Sequence, residues 1–206
     1  MTLNLLVFML STLGVSWENA IFEFSAVQGY RVVMEGEVYR LLTSMFVHSD
    51  MFRIAMNMLF IYMVGRMVER FFSPWAYLSL YFISGFFGSF AYMYMSISGG
   101  AVGASGAIFG IFGALAGFAF VHRQTMQDQF MQFMREFGIV LVINFFIGII
   151  FPSIAMSTHI GGLIAGIVGG VILAQNSKFL SLFVAVSVGI LVGVYDALFS
   201  SYLSMM

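Results

Sequence analysis

"GGAVGASGAIFGIFGALAG", residues 99–117, is the stretch on which the reading of this chain turns. It carries glycines at close spacing, one hydroxyl (Ser105) and no charge. Ser105 is either a small residue that lets helices approach or a nucleophile held inside a membrane. The flanking sequence decides the solvent first. No Asp, Glu, Lys or Arg occurs in residues 71–121 or in residues 137–177. A membrane-spanning helix needs about 20 apolar residues, so each run has room for two. Of the 206 residues 61% are hydrophobic and 8% charged, with a mean hydropathy of +1.01. A soluble domain has about a quarter of its residues charged. Long unbroken apolar runs also exclude the alternating pattern of a β-barrel. The fold class is therefore all-α, a polytopic transmembrane helical bundle.

Composition narrows the chemistry further. A formal net charge of −1, a pI near 6.3 and no basic stripe argue against nucleic-acid binding. With no cysteine there is no disulfide frame, no thiolate metal ligand and no thiol chemistry. The 17 Met and 25 Phe are read as gap-filling and lipid-facing side chains. No metal or cofactor is expected.

Seven spans are predicted, at about 2–17, 50–66, 74–96, 104–121, 136–151, 155–175 and 179–198. The first lacks a basic n-region and a cleavage site, and is read as an uncleaved helix. Trp17 and Trp75 fall near span ends, where interfacial aromatics concentrate. No internal repeat or linker divides the chain, so residues 1–206 are expected to form one integral-membrane domain. Arg66, Arg70, Arg123, Arg135 and Lys178 follow spans two, four and six, whereas the turns at 97–103 and 152–154 carry no basic residue. The positive-inside rule then places those basic turns and the N-terminus in the cytoplasm. Spans two, four and six run parallel, from outside to inside.

Polar and ionisable groups inside a membrane are costly, and three stand out: Asn57, Ser105 and His159. At 1.5 Å of rise per residue, Ser105 and His159 lie about 3–8 Å and Asn57 about 10 Å below the outer end. The three share a depth on parallel helices. That arrangement suits nucleophilic catalysis. A serine hydroxyl becomes a competent nucleophile when an imidazole takes its proton, and the imidazole then protonates the leaving amine. An amide such as Asn57 and free N–H groups at a helix start can stabilise the oxyanion. No carboxylate sits at that depth, so the expectation is a Ser105–His159 dyad. Phe109, one turn beyond Ser105, can stack on the imidazole. In "HIGGLIAG", Gly162 and Gly166 follow His159 at i+3 and i+7, while Gly106, Gly110, Gly113 and Gly117 lie on the serine helix. Small residues at this spacing let helix backbones come close. His122, at the opposite end of its helix, is about 25 Å from Ser105 and cannot replace His159.

These residues resemble the rhomboid family of intramembrane serine proteases. The resemblance rests on G-x-S-G (Gly103, Ser105, Gly106), H-x-x-G-x-x-x-G (His159, Gly162, Gly166) and the helix-two asparagine Asn57. It extends to "GEVYRLLTSMFVHSD", where Tyr39–Arg40 stands for the family's Trp–Arg, and Thr43, Phe46 and His48 follow at the family spacing. Glu69 resembles the acidic residue that closes the second helix. The resemblance covers about residues 36–175 and implies a six-helix core, with 179–198 an extra C-terminal helix. The resemblance implies a cavity opening outward and hydrolysis of peptide bonds in or near transmembrane helices of membrane-protein substrates within the lipid bilayer. It implies Ser105 as nucleophile, His159 as general base and acid, and Asn57 with the Ser105 backbone N–H at the oxyanion. Arg40 and Glu69 would be structural. One position departs: where the family has a second histidine contributing to the oxyanion site, this chain has Arg53. Arg53 and His48 are each carried as oxyanion or structural residues, since Asp50 at i−3 can hold Arg53 at the interface. Helices two and five and the loop at 150–156 are, by the same resemblance, candidates for a substrate gate.

Two competing readings remain. A rhomboid-like protein that binds membrane helices without cutting them typically lacks the serine or the histidine, and both are present. A small transporter would favour polar groups near the midplane, where Asn144 is the clearest candidate. H-E-x-x-H is absent and no aspartate pair lies within spans, which disfavours other intramembrane proteases. The lack of a soluble appendage suggests a prokaryotic plasma membrane.

Overall fold

The computed structural model describes residues 1–12, 15–96, 99–125, 127–150 and 155–204, with residues 15–19, 127, 129 and 144–150 described by backbone alone. In chain order the elements are α1 (Thr2–Thr12), α2 (Val15–Ser25), β1 (Val27–Gln28), α3 (Gly29–Val33), α4 (Arg40–Thr43), α5 (Met51–Val68), α6 (Pro74–Met95), β2 (Gly100–Ala101), α7 (Ser105–Val121), α8 (Gln127–Ile150), α9 (Met156–Gln175) and α10 (Leu180–Leu203). Among the described residues, four helical segments are long and apolar enough to cross a membrane: Met51–Val68, Pro74–Met95, Met156–Gln175 and Ser177–Leu203. The last contains the segment expected at 179–198. α7, with 17 residues, is shorter than these. The first expected span, 2–17, falls on α1 and the start of α2, with residues 13 and 14 outside the described residues. The polar residues Glu18, Asn19 and Glu23 fall in α2, a composition unlike a lipid-facing span.

Local chemistry sets the helix starts. Asp50 caps α5 by accepting the Arg53 N–H at 2.9 Å, and Ser73 caps α6 with Pro74 in its first turn. α6, α7 and α9 form the centre of the bundle, and glycine is the reason they can. A Cβ on Gly162 would lie 2.8 Å from the Gly106 carbonyl carbon, and one on Gly166 2.7 Å from Gly110 Cα. One turn on, a Cβ on Gly170 would lie 2.6 Å from Ala114 Cα. α7 and α9 are therefore parallel and backbone to backbone over their length. α6 joins from the side, Gly88 facing the Thr158 carbonyl. Lipid gives helices no hydrophobic reason to associate, so close van der Waals contact carries this seam.

The apolar core follows α5, α6, α7 and α9, with Leu80, Ile111, Ala107 and Ala114 fully buried. Large apolar residues on the outside, such as Trp75 and Tyr94, are about three-quarters exposed. In water that would be an aggregation hazard; on a membrane protein it is the surface that meets lipid. A short layer of β1, α3 and α4 covers one end of the bundle. Arg40 organises it from a fully buried position. Its guanidinium donates to the Glu23 carbonyl at 2.6 Å and the Ala26 carbonyl at 3.0 Å, and pairs with the Glu37 carboxylate. Arg31 on α3 pairs with Glu23 and Glu37 in turn, and these two cations hold the Glu37 carboxyl below its ordinary range, the Arg40 hydrogen bond being the largest cause.

Candidate active site

A cavity of about 610 Å³ opens at the covered end of the bundle, and the candidate residues gather in its wall. α5 contributes Arg53 and Asn57, α7 contributes Ser105 and Phe109, and α9 contributes Thr158 and His159. The seam described above decides their spacing. Gly106 and Gly162 bring the two backbones together one residue after Ser105 and one turn after His159. The side chains then need no long arm to meet. His159 Nε2 lies 2.9 Å from Ser105 Oγ, a hydrogen bond by distance.

The imidazole is held by its face as well as by its edge. Phe109 stacks on it with ring centroids 4.3 Å apart and an interplanar angle of 9°. His159 is buried, and among the described residues its Nδ1 has no hydrogen-bond partner. Among the described residues the arrangement is a serine–histidine pair, with the Phe109 ring holding the plane of the imidazole.

The approach to Ser105 is a bent loop. Gly103 has φ of +125°, a conformation that disfavours any side chain, and its N–H donates to the Ser44 carbonyl at 2.8 Å. β2 pairs antiparallel with β1, matching Val27 to Ala101 and Gln28 to Gly100. α7 starts at Ser105, and its first i→i−4 bond runs from Ile108 N–H to the Ala104 carbonyl. The N–H groups of Ser105, Gly106 and Ala107 have no intrahelical acceptor, which leaves donors at the nucleophile itself. Asn57 stands across this turn: a Cβ on Gly103 would be 3.6 Å from its Nδ2. Hydroxyl, imidazole, amide side chain and free backbone N–H groups thus share one wall, which is the donor set acyl transfer uses.

The other sequence candidates separate from this group to differing degrees. Arg53 lines the cavity one helical turn from Asn57, with its Nε 3.0 Å from Asp50 Oδ2. His48 is buried outside the cavity wall, and among the described residues neither ring nitrogen has a partner of full hydrogen-bond geometry. Burial pushes its pKa down to about 4, outweighing the upward pull of the Phe46 carbonyl and the Asp50 carboxylate. Arg40 lies in the covering layer, and Glu69 closes α5 at the opposite end of the bundle. His122 is at that far end too, bonded to the Phe118 carbonyl. Residues 151–154 of the loop expected to act in gating lie outside the described residues, as does the side chain of Asn144. Sequence reasoning missed the Ser44 carbonyl, the β1–β2 pair and the buried Ser89, which also lines the cavity. Ser89 had a signal, a hydroxyl inside a charge-free run; the other two are backbone features and had none.

Comparison with known proteins agrees with this architecture. The family model described as the rhomboid domain matches residues 35–176. The chain is 33% identical over 173 residues to rhomboid protease GluP of Bacillus subtilis, covering 82% of this chain and 32% of that protein. It is 32% identical over 148 residues to RHOMBOID-like protein 1 of Arabidopsis thaliana, covering 72% and 38% respectively. A third relative, inactive RHOMBOID-like protein 8 of Arabidopsis thaliana, is 32% identical over 134 residues, covering 63% and 36%. The chain spans well under half the length of each of these relatives. A matched domain of some 140 residues, the apolar spans and the glycine-seamed bundle all lead to one assignment: this is an integral membrane protein that belongs to the rhomboid family.

Proposed function

We propose that the chain is an intramembrane serine endopeptidase that hydrolyses peptide bonds in or beside transmembrane helices of other membrane proteins. The observation that carries this reading is the 2.9 Å approach of His159 Nε2 to Ser105 Oγ inside a cavity walled by apolar helices. His159 accepts the Ser105 proton as Oγ bonds to the scissile carbonyl carbon, and the carbonyl oxygen becomes an oxyanion. Asn57 and the N–H groups that open α7 stabilise that charge. Collapse breaks the C–N bond, the proton on His159 leaves with the amine, and an ester remains on Ser105. Water, deprotonated by His159, then attacks the ester and frees Ser105 and the carboxyl product.

The basic residues Arg66, Arg70, Arg123, Arg135 and Lys178 favour a cytoplasmic far end, so the cavity would open to the outer face. Substrates would therefore be cut near the outer end of their helices, where extended backbone can meet water or protein acceptors. Binding without cutting is the competing reading, since one relative is named inactive. The hydrogen-bonded serine and histidine weigh for cutting. The test is cleavage of a transmembrane substrate by purified protein in liposomes, comparing wild type, Ser105→Ala and His159→Ala. Cleavage by wild type alone, with all three folded, supports the dyad. Cleavage by folded Ser105→Ala refutes it, and no cleavage by wild type of any of several substrates favours binding alone.

A further inference from the structure

α10 lies outside the region that holds Ser105, His159 and Asn57, yet its second half is tied to the loop that presents Ser105. Tyr202 is buried and donates its hydroxyl to the Met93 carbonyl of α6 at 3.2 Å. Its ring occupies space left by Gly29, where an added Cβ would overlap the hydroxyl and lie 2.9 Å from Cζ. Two turns earlier, the Tyr195 hydroxyl reaches the Val32 and Val33 carbonyls of α3 at 3.4 and 3.3 Å. α10 thus touches the segment from 29 to 33 at both ends. That segment continues directly from β1, which pairs with β2, and β2 ends four residues before Ser105. A separate apolar cluster ties the same parts together. Val27, Val33, Met93, Leu198 and Tyr202 are buried in it, with Ala101 of the serine loop packed against it.

We propose that α10 is a positioning element for catalysis: Tyr195 and Tyr202 hold residues 27–33, and β1 in turn holds residues 100–101 and the approach to Ser105. Both tyrosines act through the strand pair and touch no reacting atom. This inference rests on the protease reading above, so the test includes a readout that needs no activity. In lipid nanodiscs, amide hydrogen exchange across residues 99–104 is compared between wild type and Tyr195→Phe/Tyr202→Phe, with residues 107–115 in the α7–α9 seam as internal reference. The rate at which a fluorophosphonate labels Ser105 is measured on the same samples. Exchange over 99–104 should quicken about tenfold, roughly what one net hydrogen bond is worth, while the seam is unchanged. Labelling should slow in parallel.

The chain has no native cysteine, so a Val27→Cys/Ala101→Cys pair can cross-link β1 to β2 without competition. Oxidising that pair in the tyrosine double variant should restore both exchange and labelling. Unchanged exchange over 99–104 in the folded double variant, or a cross-link that restores neither readout, overturns the proposal. Should the double variant fail to fold, Tyr195→Phe alone removes one oxygen and is read by the same criteria. If wild type neither labels nor cuts but exchange responds as expected, the protease reading fails and the coupling of α10 to the loop stands.

Discussion

Replacing Gly162 with alanine tests whether the glycine seam sets the catalytic distance. The new methyl carbon would sit 2.8 Å from the Gly106 carbonyl carbon and 3.2 Å from Gly106 Cα, and would overlap the Gly106 carbonyl oxygen. Carbon atoms rest at about 3.5–4.0 Å, so α7 and α9 must part by about 0.7 Å or more. The obstacle is backbone on both sides, and no rotamer change relieves it. Ser105 is one residue from Gly106 and His159 one turn from Gly162, so the parting is passed to a pair now 2.9 Å apart. Beyond about 3.5 Å that contact is no longer a hydrogen bond. A misplacement approaching 1 Å costs about a hundredfold in rate, or about 2.7 kcal/mol in the barrier.

The assay is kcat/KM for a transmembrane substrate in liposomes, with thermal unfolding measured alongside. Overpacking should destabilise by about 1–3 kcal/mol, less up to about 1 kcal/mol gained from alanine's helix preference. Gly189→Ala in α10 is the matched control, because a Cβ there meets no atom of the described residues within 4 Å. It should leave cleavage unchanged and stability the same or slightly higher. If Gly162→Ala folds and cuts within about threefold of wild type, under about 0.7 kcal/mol, the seam does not set the dyad distance.

The remaining expectations concern single groups. Asn57→Ala should lower kcat by about 10²–10³ with KM near wild type, the signature of a lost oxyanion donor; a rise in KM alone would show that Asn57 holds substrate instead. Arg40→Met removes a buried cation that satisfies two carbonyls and Glu37, and should cost about 3 kcal/mol in thermal unfolding, with Arg40→Lys recovering only part; an unchanged melting temperature would contradict the keystone role. His48 is held near 4 against an ordinary 6.5, so the unfolded chain binds its proton first and the fold loses stability as pH drops from about 6.5 towards 4. Compared with wild type, His48→Phe should show a loss over that window smaller by up to about 3 kcal/mol, and equal slopes would show that His48 titrates freely when folded.

What the sequence disclosed and what it withheld divide along a physical line. Ser105, His159 and Asn57 were legible because a polar side chain in a charge-free apolar run is costly enough to need a reason. The glycines were legible because spacing of three and four residues has one geometric meaning on a helix. Arg53 could be read as an anomaly but not as a role, since its charge suits the interface and the cavity equally. The tether of Gly103 to Ser44 and the β1–β2 pair were not legible at all. They use backbone N–H and C=O groups, which nearly every residue has, so no composition marks them. α2 was not legible as a helix beyond residue 17, because Glu18, Asn19 and Glu23 break the apolar run by which a span is read.

That division bears on how a serine–histidine pair can be held with no carboxylate against the imidazole among the described residues. In a triad the carboxylate fixes the imidazole, and a charge of that kind in a lipid-embedded wall would itself need a partner. Here the constraint comes from groups with no charge. Phe109 fixes the plane of the ring, and the absence of side chains at Gly106 and Gly162 fixes the distance between the backbones that carry serine and histidine. Both constraints belong to α7 and α9, whereas the approach to Ser105 belongs to the tethered loop before it. Substitutions in the seam should therefore change the chemical step with substrate binding largely intact. Substitutions at Ser44, Val27 or the α10 tyrosines should act on access and on the oxyanion end, leaving the 2.9 Å pair in place. A seam variant that raised KM with kcat unchanged would break that separation, and with it the argument that glycine packing takes the place of the missing acid.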